Sequence, residues 1–315
     1  MKISKALPNG KFRYLCKKGL NPFLLLLAIM LTCSVNAQTQ NKKLNVIIIG
    51  AHPDDAEDMA GGVAAKWVKA GANVLMVSLT NGDAGHQTIP AEKLAKIRRE
   101  EARQAGLVIG VRYITLDNHD GKLMPTYENR EQVIRLIREQ KADIVISPRP
   151  YDYHPDHRNT GQLVLDAAYM VTVPKIVPDV PILTKNPLFL WASDRFEHPE
   201  PFKDDVAIDI GDEIETKIDM FDKHVSQFYE WLPFNTGELD QVPKDPVARR
   251  KWLGDKYKKE SNGAFLYRDK LVELYGKEAA SMIKYVEAFE DSQYGALLTK
   301  ENLTYYFPFL KPVDN

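Results

Sequence analysis

Residues 44–57 read LNVIIIGAHPDDAE. The first part is a short apolar run that ends at Gly50, a pattern typical of a buried strand in a parallel sheet. The polar part that follows contains Pro53, which suits the first position of a helix. The stretch therefore predicts a strand, a tight turn and a helix, with a cluster of ionisable side chains in the turn.

The same alternation continues along the chain. Strands are predicted at 44–49, 74–79, 112–116, 143–147, 188–192 and 206–210, and helices at 53–70, 91–105, 129–140, 158–170 and 212–229. Strands that alternate with helices of this length indicate β-α-β units with right-handed crossovers. We expect an α/β fold, a Rossmann-like three-layer sandwich with a mostly parallel sheet in residues 38–232, followed by a helical C-terminal extension in residues 233–315.

The first 37 residues have the features of a secretory signal peptide. Six Lys or Arg residues and no acidic residue precede an apolar run at 23–31, and Val35-Asn36-Ala37 suits cleavage after Ala37. The run is shorter than the roughly 20 residues that span a bilayer. We expect export to the periplasm or the extracellular space, with a retained anchor or a lipoprotein at Cys33 as the alternatives. The remaining chain is predicted to have no membrane span.

The charge balance excludes some classes of partner. Removal of residues 1–37 would leave a net charge of −7 and no cysteine, since both Cys16 and Cys33 lie in that segment. A mildly acidic chain without a basic run lacks the electrostatic footprint of a nucleic-acid-binding protein. We expect a small-molecule or glycan substrate and no nucleic acid. The oligomeric state is left open.

Two polar clusters follow predicted strands. AHPDDAE occupies 51–57 after the first strand, and YHPDH occupies 153–157 after the fourth. Ligands of open parallel sheets bind outside the carboxyl ends of the strands, so the two clusters are predicted to meet there. Either cluster alone also fits a solvated helix start, where acidic residues favour the helix dipole. Their joint placement favours a functional site. The NGDAGH turn at 81–86 is predicted to line the same pocket, although a plain glycine-rich turn fits nearly as well.

The residue types in these clusters point to a metal centre. Catalytic zinc sites use three nitrogen or oxygen ligands and keep one position open, which His52, Asp55 and His157 could provide. Asp54 would then be free to act as a general base. His154 could protonate a leaving amine or stabilise an oxyanion, and Asp156 could hold an imidazole in its working tautomer. We expect Zn²⁺, while another divalent metal would also suit such ligands.

The two motifs resemble those of the LmbE-like or PIG-L zinc-dependent N-acetylglucosaminyl deacetylases. HPDDAE at 52–57 fits the His-Pro-Asp-Asp-any-Glu form of the first motif, and HPDH at 154–157 matches the second. The resemblance covers residues 44–170 well and later residues weakly. It implies zinc ligands at His52, Asp55 and His157, a base at Asp54 and a catalytic His154.

The same resemblance extends to two candidate substrate-binding residues. Arg98 corresponds to the family's substrate-binding arginine, and Asp120 to an Asp-Gly loop near the sugar. An ordinary helix-face arginine and a turn aspartate are the alternatives for these two positions.

Taken together, these features predict a zinc-dependent hydrolase that removes the acetyl group from an N-acetylated amino sugar or glycoconjugate. A hydrolase of another amide or ester and a non-catalytic glycan-binding module are the alternatives. A dinucleotide-binding protein is disfavoured because Gly50-Ala51-His52 lacks the glycine spacing that lets a backbone approach a pyrophosphate.

Overall fold

The computed structural model describes residues 43–260 and 263–311, and within them a seven-stranded sheet. Its order is β3-β2-β1-β4-β5-β7-β6. The strands are β1 (Asn45–Gly50), β2 (Asn73–Thr80), β3 (Arg112–Asn118), β4 (Ile144–Ser147), β5 (Leu188–Ala192), β6 (Val206–Asp209) and β7 (Val286–Asp291). The five strands β1 to β5 are parallel, and β7 runs antiparallel to both β5 and β6. This confirms the predicted mostly parallel sheet.

Helices connect the strands. The α-helices are α1 (Asp55–Lys69), α2 (Ala91–Val108), α3 (Tyr127–Gln140), α4 (Pro155–Met170), α5 (Ile214–Phe221), α6 (Leu232–Thr236), α7 (Pro246–Glu260), α8 (Arg268–Tyr275), α9 (Lys277–Met282) and α10 (Leu303–Tyr306). A π-helical segment, Ser226–Trp231, precedes α6. In the described residues, no helix is both long enough and apolar enough to cross a membrane.

The sheet is buried on both faces, which explains the continuous apolar runs in the sequence. Val46 and Ile48 of β1 belong to a core with α1 and α5, whereas Ile47 and Ile49 belong to a core with α3 and α4. Successive side chains of a strand point to opposite faces, so an unbroken apolar strand needs a helical layer on each side. The three-layer α/β sandwich is therefore confirmed.

The C-terminal segment contains a strand that its sequence pattern does not predict. The described residues after 232 include helices α7 to α10 and also β7, which lies between β5 and β6. Farther along, the backbone carbonyl of Tyr306 accepts a hydrogen bond of 2.8 Å from Trp67 Nε1, and the ring of Phe307 stacks on Trp67. The boundary proposed between residues 232 and 233 falls at the start of α6. The signal peptide at 1–37 lies outside the described residues and stays a prediction.

The predicted helix at 212–229 is wrong in its middle. Helix α5 ends at Phe221, and a π-helical segment begins at Ser226 after a short break. The break includes His224, whose fully buried ring lies 2.7 Å from Glu57 of α1, measured from Nε2 to Oε1. A long-range contact therefore overrides the helical periodicity of this stretch.

The topology brings the predicted clusters to one edge. Strands β1, β2 and β4 are neighbours and parallel, and they end at Gly50, Thr80 and Ser147. The turns that follow them open on the same side of the sheet. Thr80 Oγ1 donates a hydrogen bond of 2.8 Å to the carbonyl of Ala51, which ties two of these turns together.

Candidate metal centre and active site

The turn after β1 is built closely around Asp55. A Cβ atom on Gly50 would lie 2.4 Å from Asp55 Cβ, so a side chain at position 50 would collide with the first turn of α1. Asp55 Oδ2 accepts hydrogen bonds of 2.8 Å from the backbone N–H groups of Ala51 and His52. The carboxylate is thereby fixed before any ligand binds.

Three predicted metal ligands converge at this edge. His52 Nδ1 lies 3.1 Å from His157 Nε2 and 3.6 Å from Asp55 Oδ2, and His157 Nε2 lies 3.4 Å from the same oxygen. Ligand atoms at zinc–ligand distances of 2.0–2.1 Å in a tetrahedron are separated by roughly 3.3 Å. The triangle of these three atoms therefore has the size of one face of a tetrahedral site.

Carboxylates on the far side of both rings fix the nitrogen that each imidazole presents. His52 Nε2 lies 3.2 Å from Asp120 Oδ1 and 3.3 Å from Asp156 Oδ2, and His157 Nδ1 lies 3.1 Å from Asp152 Oδ1. Such carboxylates favour a proton on the nitrogen they face, which leaves a lone pair on the other. In neutral rings, two lone pairs would face each other at 3.1 Å, and a proton or a metal ion between them would stabilise this arrangement.

The electrostatics of the centre agree with this arrangement. Burial lowers the pKa of His52, but hydrogen bonding to Asp120, Asp156 and Asp55 outweighs burial and raises that pKa well above its usual value. Burial likewise lowers the pKa of His157, yet the charge of Asp55 and the contact with Asp152 raise it to about 10. The carboxylates thus stabilise positive charge at this position, as either protons or a metal ion.

Two overlapping sets of possible ligands share the same space. His52, His154 and His157 form one set, and His52, Asp120 and Asp156 form the other, each with its ligand atoms within 4.8 Å of one another. His154 Nδ1 accepts a hydrogen bond from the backbone N–H of Asp156, and Asp156 accepts hydrogen bonds from the backbone N–H groups of Gly121 and Leu123. The atoms of His52, Asp55 and His157 lie 3.1 to 3.6 Å apart, so this third set has the spacing of adjacent ligands of one ion.

Asp54 occupies a strained position beside this centre. Its φ angle is 123°, a conformation uncommon for a residue other than glycine, and its Oδ1 atom is buried without a hydrogen-bond partner. Burial and the charge of Asp55 raise the pKa of Asp54 to about 7. Asp54 lines the cavity, and a carboxylate whose pKa lies near neutrality is suited to accept a proton from a reactant.

His154 is the N-cap residue of helix α4 and lies edge-on to His52, with 4.5 Å between ring centroids. Because its Nδ1 accepts from the Asp156 N–H, the proton of a neutral His154 ring is on Nε2. Burial, together with the charges of His52 and His157, lowers the pKa of His154. The residue therefore offers a neutral hydrogen-bond donor.

These side chains line a cavity of about 800 Å³. Its lining includes Gly82, Ala84 and Gly85, so the turn after β2 takes part as predicted, together with Arg98 and Asp120. The volume lies near the upper end of the roughly 300–1,000 Å³ that small-molecule sites have.

Comparison with known proteins identifies the family. Residues 47–168 match the PIG-L model, described as GlcNAc-PI de-N-acetylase. The diacetylchitobiose deacetylase of Thermococcus kodakarensis is 31% identical over 205 residues, which cover 62% of this chain and 76% of that protein. The chain belongs to the PIG-L family.

Solved structures agree with the PIG-L fold. The N,N'-diacetylchitobiose deacetylase of Pyrococcus horikoshii has a TM-score of 0.61 at 22% identity, covering 91% of this chain and 96% of its own. The 4-carboxy-2-hydroxymuconate hydratase of Pseudomonas putida has a TM-score of 0.63 at 18% identity, covering 82% and 98%. At these identities the likeness shows the fold alone.

In this PIG-L protein, the two predicted substrate-binding residues lie close to the centre. Arg98 of α2 is almost fully buried and donates a hydrogen bond of 2.8 Å from Nη2 to the carbonyl of Gly85, while its Nε has no partner. Asp120 lines the cavity but also contacts His52. Asp83 holds Asp120 in place by accepting its backbone N–H at 3.0 Å.

Several residues of this PIG-L site were not predicted. Asp152 contacts His157. It stands two residues before the second motif, and this closeness in sequence could have indicated that it belongs to the site. Arg149 is buried and holds Asp194 through two hydrogen bonds of 2.6 and 2.7 Å, which fixes the cavity wall after β5. No short sequence pattern connects residues 149 and 194, so this pair could be found only from the fold.

Proposed function

We propose that this protein is a metal-dependent N-deacetylase, with zinc as the expected metal, that removes the acetyl group from an N-acetylated amino sugar or glycoconjugate. The single observation that carries the proposal is the 3.1 Å approach of His52 Nδ1 and His157 Nε2, with each opposite ring nitrogen beside a carboxylate. The relatives named above, diacetylchitobiose deacetylases and a de-N-acetylase family, support the choice of reaction.

His52, Asp55 and His157 would hold the ion. When bound, a divalent cation supplies Lewis acidity and lowers the pKa of water towards about 7. Three ligands leave a position open, as catalytic zinc sites require. Asp120, Asp156 and Asp152 keep the two imidazoles in the required tautomers.

Asp54 would take a proton from the attacking water as the water oxygen forms a bond to the acetyl carbon. The C–N bond then breaks as Asp54 passes this proton to the sugar nitrogen, and acetate and a free amine leave. His154 Nε2–H would donate a hydrogen bond to the acetyl oxygen as negative charge develops there. Asp156 keeps His154 in place through the hydrogen bond from its backbone N–H to Nδ1.

We also propose that the protein acts outside the cytoplasm after cleavage at Ala37. The basic and apolar segments of residues 1–37 support this, and the absence of cysteine from the remaining chain is compatible with it. Size determination of the exported protein by mass spectrometry would test the cleavage position.

Acetate release from purified protein tests the reaction. N-acetylglucosamine, N,N'-diacetylchitobiose and simple N-acetylated amides would be supplied with zinc or with a chelator. The proposal predicts acetate and amine in equal amounts from an amino sugar, lost on chelation and restored by a divalent metal. Hydrolysis of esters or other amides without amino-sugar turnover would favour the alternative hydrolase. Metal binding without any hydrolysis would favour the glycan-binding module.

A further inference from the structure

The segment Ser226–Trp231, here called the π-helical wall, forms one side of the cavity. Gln227, Phe228 and Trp231 all line that cavity. The wall lies outside residues 47–168, which match the family model, so it belongs to a part of the chain where the family motifs give no assignment. Short π-helical turns are rare and occur frequently at functional sites.

Three polar contacts connect the π-helical wall and a residue just before it to other parts of the fold. Just before the wall, His224 Nε2 lies 2.7 Å from Glu57 Oε1. Within the wall, Ser226 Oγ lies 2.6 Å from Glu101 Oε2, and Glu230 Oε2 lies 2.9 Å from His86 Nε2. Ser226 also donates its backbone N–H to Glu101 at 2.8 Å. The wall is therefore held in place before a ligand arrives, which reduces the ordering cost of binding.

The wall meets the metal centre at Gly85. A Cβ atom on Gly85 would lie 3.3 Å from Arg98 Nη2, 3.6 Å from Asp120 Oδ2 and 3.7 Å from Trp231 Cδ1. Asp120 in turn contacts His52. Trp231 and Asp120, the residue that contacts the proposed metal ligand His52, therefore both lie close to Gly85. Because Gly85 has no side chain, space remains between them.

The wall combines aromatic residues that line the cavity with one buried acceptor that has no hydrogen-bond partner. Phe228 and Trp231 are only partly buried although they line the cavity, and Gln227 Oε1 is buried without a hydrogen-bond partner. A buried polar atom without a partner carries a desolvation penalty that a ligand's donor would remove. A pyranose ring has both complements: an apolar C–H face for an aromatic ring and hydroxyl groups that donate hydrogen bonds.

We propose that the π-helical wall is the saccharide platform of this protein, on which Trp231 and Phe228 contact the sugar ring and Gln227 Oε1 accepts a hydrogen bond from a sugar hydroxyl. The inference deepens the proposed function and rests on it for the placement of the acetamido group. It adds the residues that distinguish a sugar from an acyclic acetamide.

Calorimetric titration with N,N'-diacetylchitobiose tests the platform without turnover. The parent protein is zinc-loaded Asp54→Asn, and the additional changes are Trp231→Leu, Gln227→Met and, as the matched control, Phe234→Leu. Phe234 stacks on Trp231 with 6.0 Å between ring centroids and is not among the cavity-lining residues. Thermal unfolding and metal content would confirm that each variant is folded and loaded.

The platform predicts that Trp231→Leu weakens binding by about tenfold, as loss of a buried aromatic contact does, and Gln227→Met by about fivefold. Phe234→Leu should stay within twofold of the parent. Equal affinities in the parent, Trp231→Leu and Gln227→Met would overturn the platform, as would a loss in Phe234→Leu as large as that in Trp231→Leu. Absence of saccharide binding in every protein would also overturn it. Failure of the proposed function is a separate result, since it appears as absent acetate release by the unaltered enzyme while saccharide binding persists.

Discussion

Lys217 Nζ lies 2.8 Å from Glu287 Oε1, and both side chains are buried. The pair fills a break in α1, where Ala60 has non-helical angles of φ −152° and ψ 23°. In an unbroken helix the N–H of Gly62 would donate to the carbonyl of Asp58. Here Gly62 N donates to Glu287 at 2.9 Å, and Lys217 Nζ donates to the Asp58 carbonyl at 2.7 Å. An ion pair from α5 and β7 thus replaces a helical hydrogen bond one turn after Asp55.

Glu287→Ala is expected to lower the free energy of unfolding by about 3–5 kcal/mol, because it leaves the ammonium of Lys217 buried and unpaired. Burial lowers the pKa of Lys217, but the charge of Glu287 raises it above its ordinary value, so the ammonium is charged in the native protein. The change also leaves the N–H groups of Gly62 and Val63 without an acceptor. Urea-induced unfolding gives the stability, and titration of the wild type and of Glu287→Ala with zinc shows whether the change alters the metal affinity proposed for the turn that bears Asp55.

The matched control is Lys96→Ala, which removes an exposed ion pair with Glu92 on α2. Exposed pairs contribute little to stability, so this variant should unfold like the wild type. A Glu287→Ala protein that is as stable as the control would refute the role of the buried pair.

Asp120→Asn distinguishes support of the metal from binding of the substrate. The carboxylate lies 3.2 Å from His52 Nε2, and loss of such a partner commonly weakens metal binding by about 10–100-fold. We expect a loss in this range, measured by competition with a chromogenic chelator. Asp117→Asn, an exposed position nearby in sequence that pairs with Arg99, serves as the control. A raised KM with unchanged metal affinity would instead assign Asp120 to the substrate alone.

The sequence predicted those parts of the site that depend on local pattern. Apolar runs gave β1 to β6, and the position of each His-Pro-Asp motif after a strand placed His52 and His157 at one edge of the sheet. Parallel pairing then brings the two together, although they are 105 residues apart. Strand ends in a parallel sheet are geometrically constrained, so this inference needed no detailed side-chain knowledge.

Other features depend on long-range pairing and could not be predicted. Strand β7 has the sequence VEAFED, and its three acidic residues argue against a buried strand when the sequence is considered alone. The burial is explained only by the contact of Lys217 with Glu287. The π-helical wall falls partly within the helix predicted at 212–229. The helical periodicity of that stretch does not indicate the contact between His224 and Glu57 that interrupts the helix. The burial of a charged side chain can be predicted only when its partner is known, because a buried charge must be paired.

His224 predicts a pH dependence of stability. Burial lowers its pKa, but the charge of Glu57 and a hydrogen bond with it raise the pKa above its ordinary value, with smaller contributions from Asp54 and Glu101. A raised folded-state pKa stabilises the protein fully below the unfolded value of about 6.5, and this stabilisation is lost as the pH rises through the folded value.

The free energy of unfolding of the metal-free wild type and of His224→Gln would therefore be compared from pH 5.5 to pH 9. The advantage of the wild type should be largest at the acid end and should shrink as the pH rises. An advantage that grows towards alkaline pH would show that His224 is buried in its neutral form.

Metal content measured together with acetate release, on Asp54→Asn and His157→Ala, tests the central claim most directly. The proposed roles predict that Asp54→Asn binds one divalent ion per chain yet loses nearly all hydrolysis, because Asp54 is assigned as the base and not as a ligand. His157→Ala should lose the ion and the activity together, because one corner of the ligand triangle is removed. Full hydrolysis by Asp54→Asn, or undiminished metal binding by His157→Ala, would contradict the account.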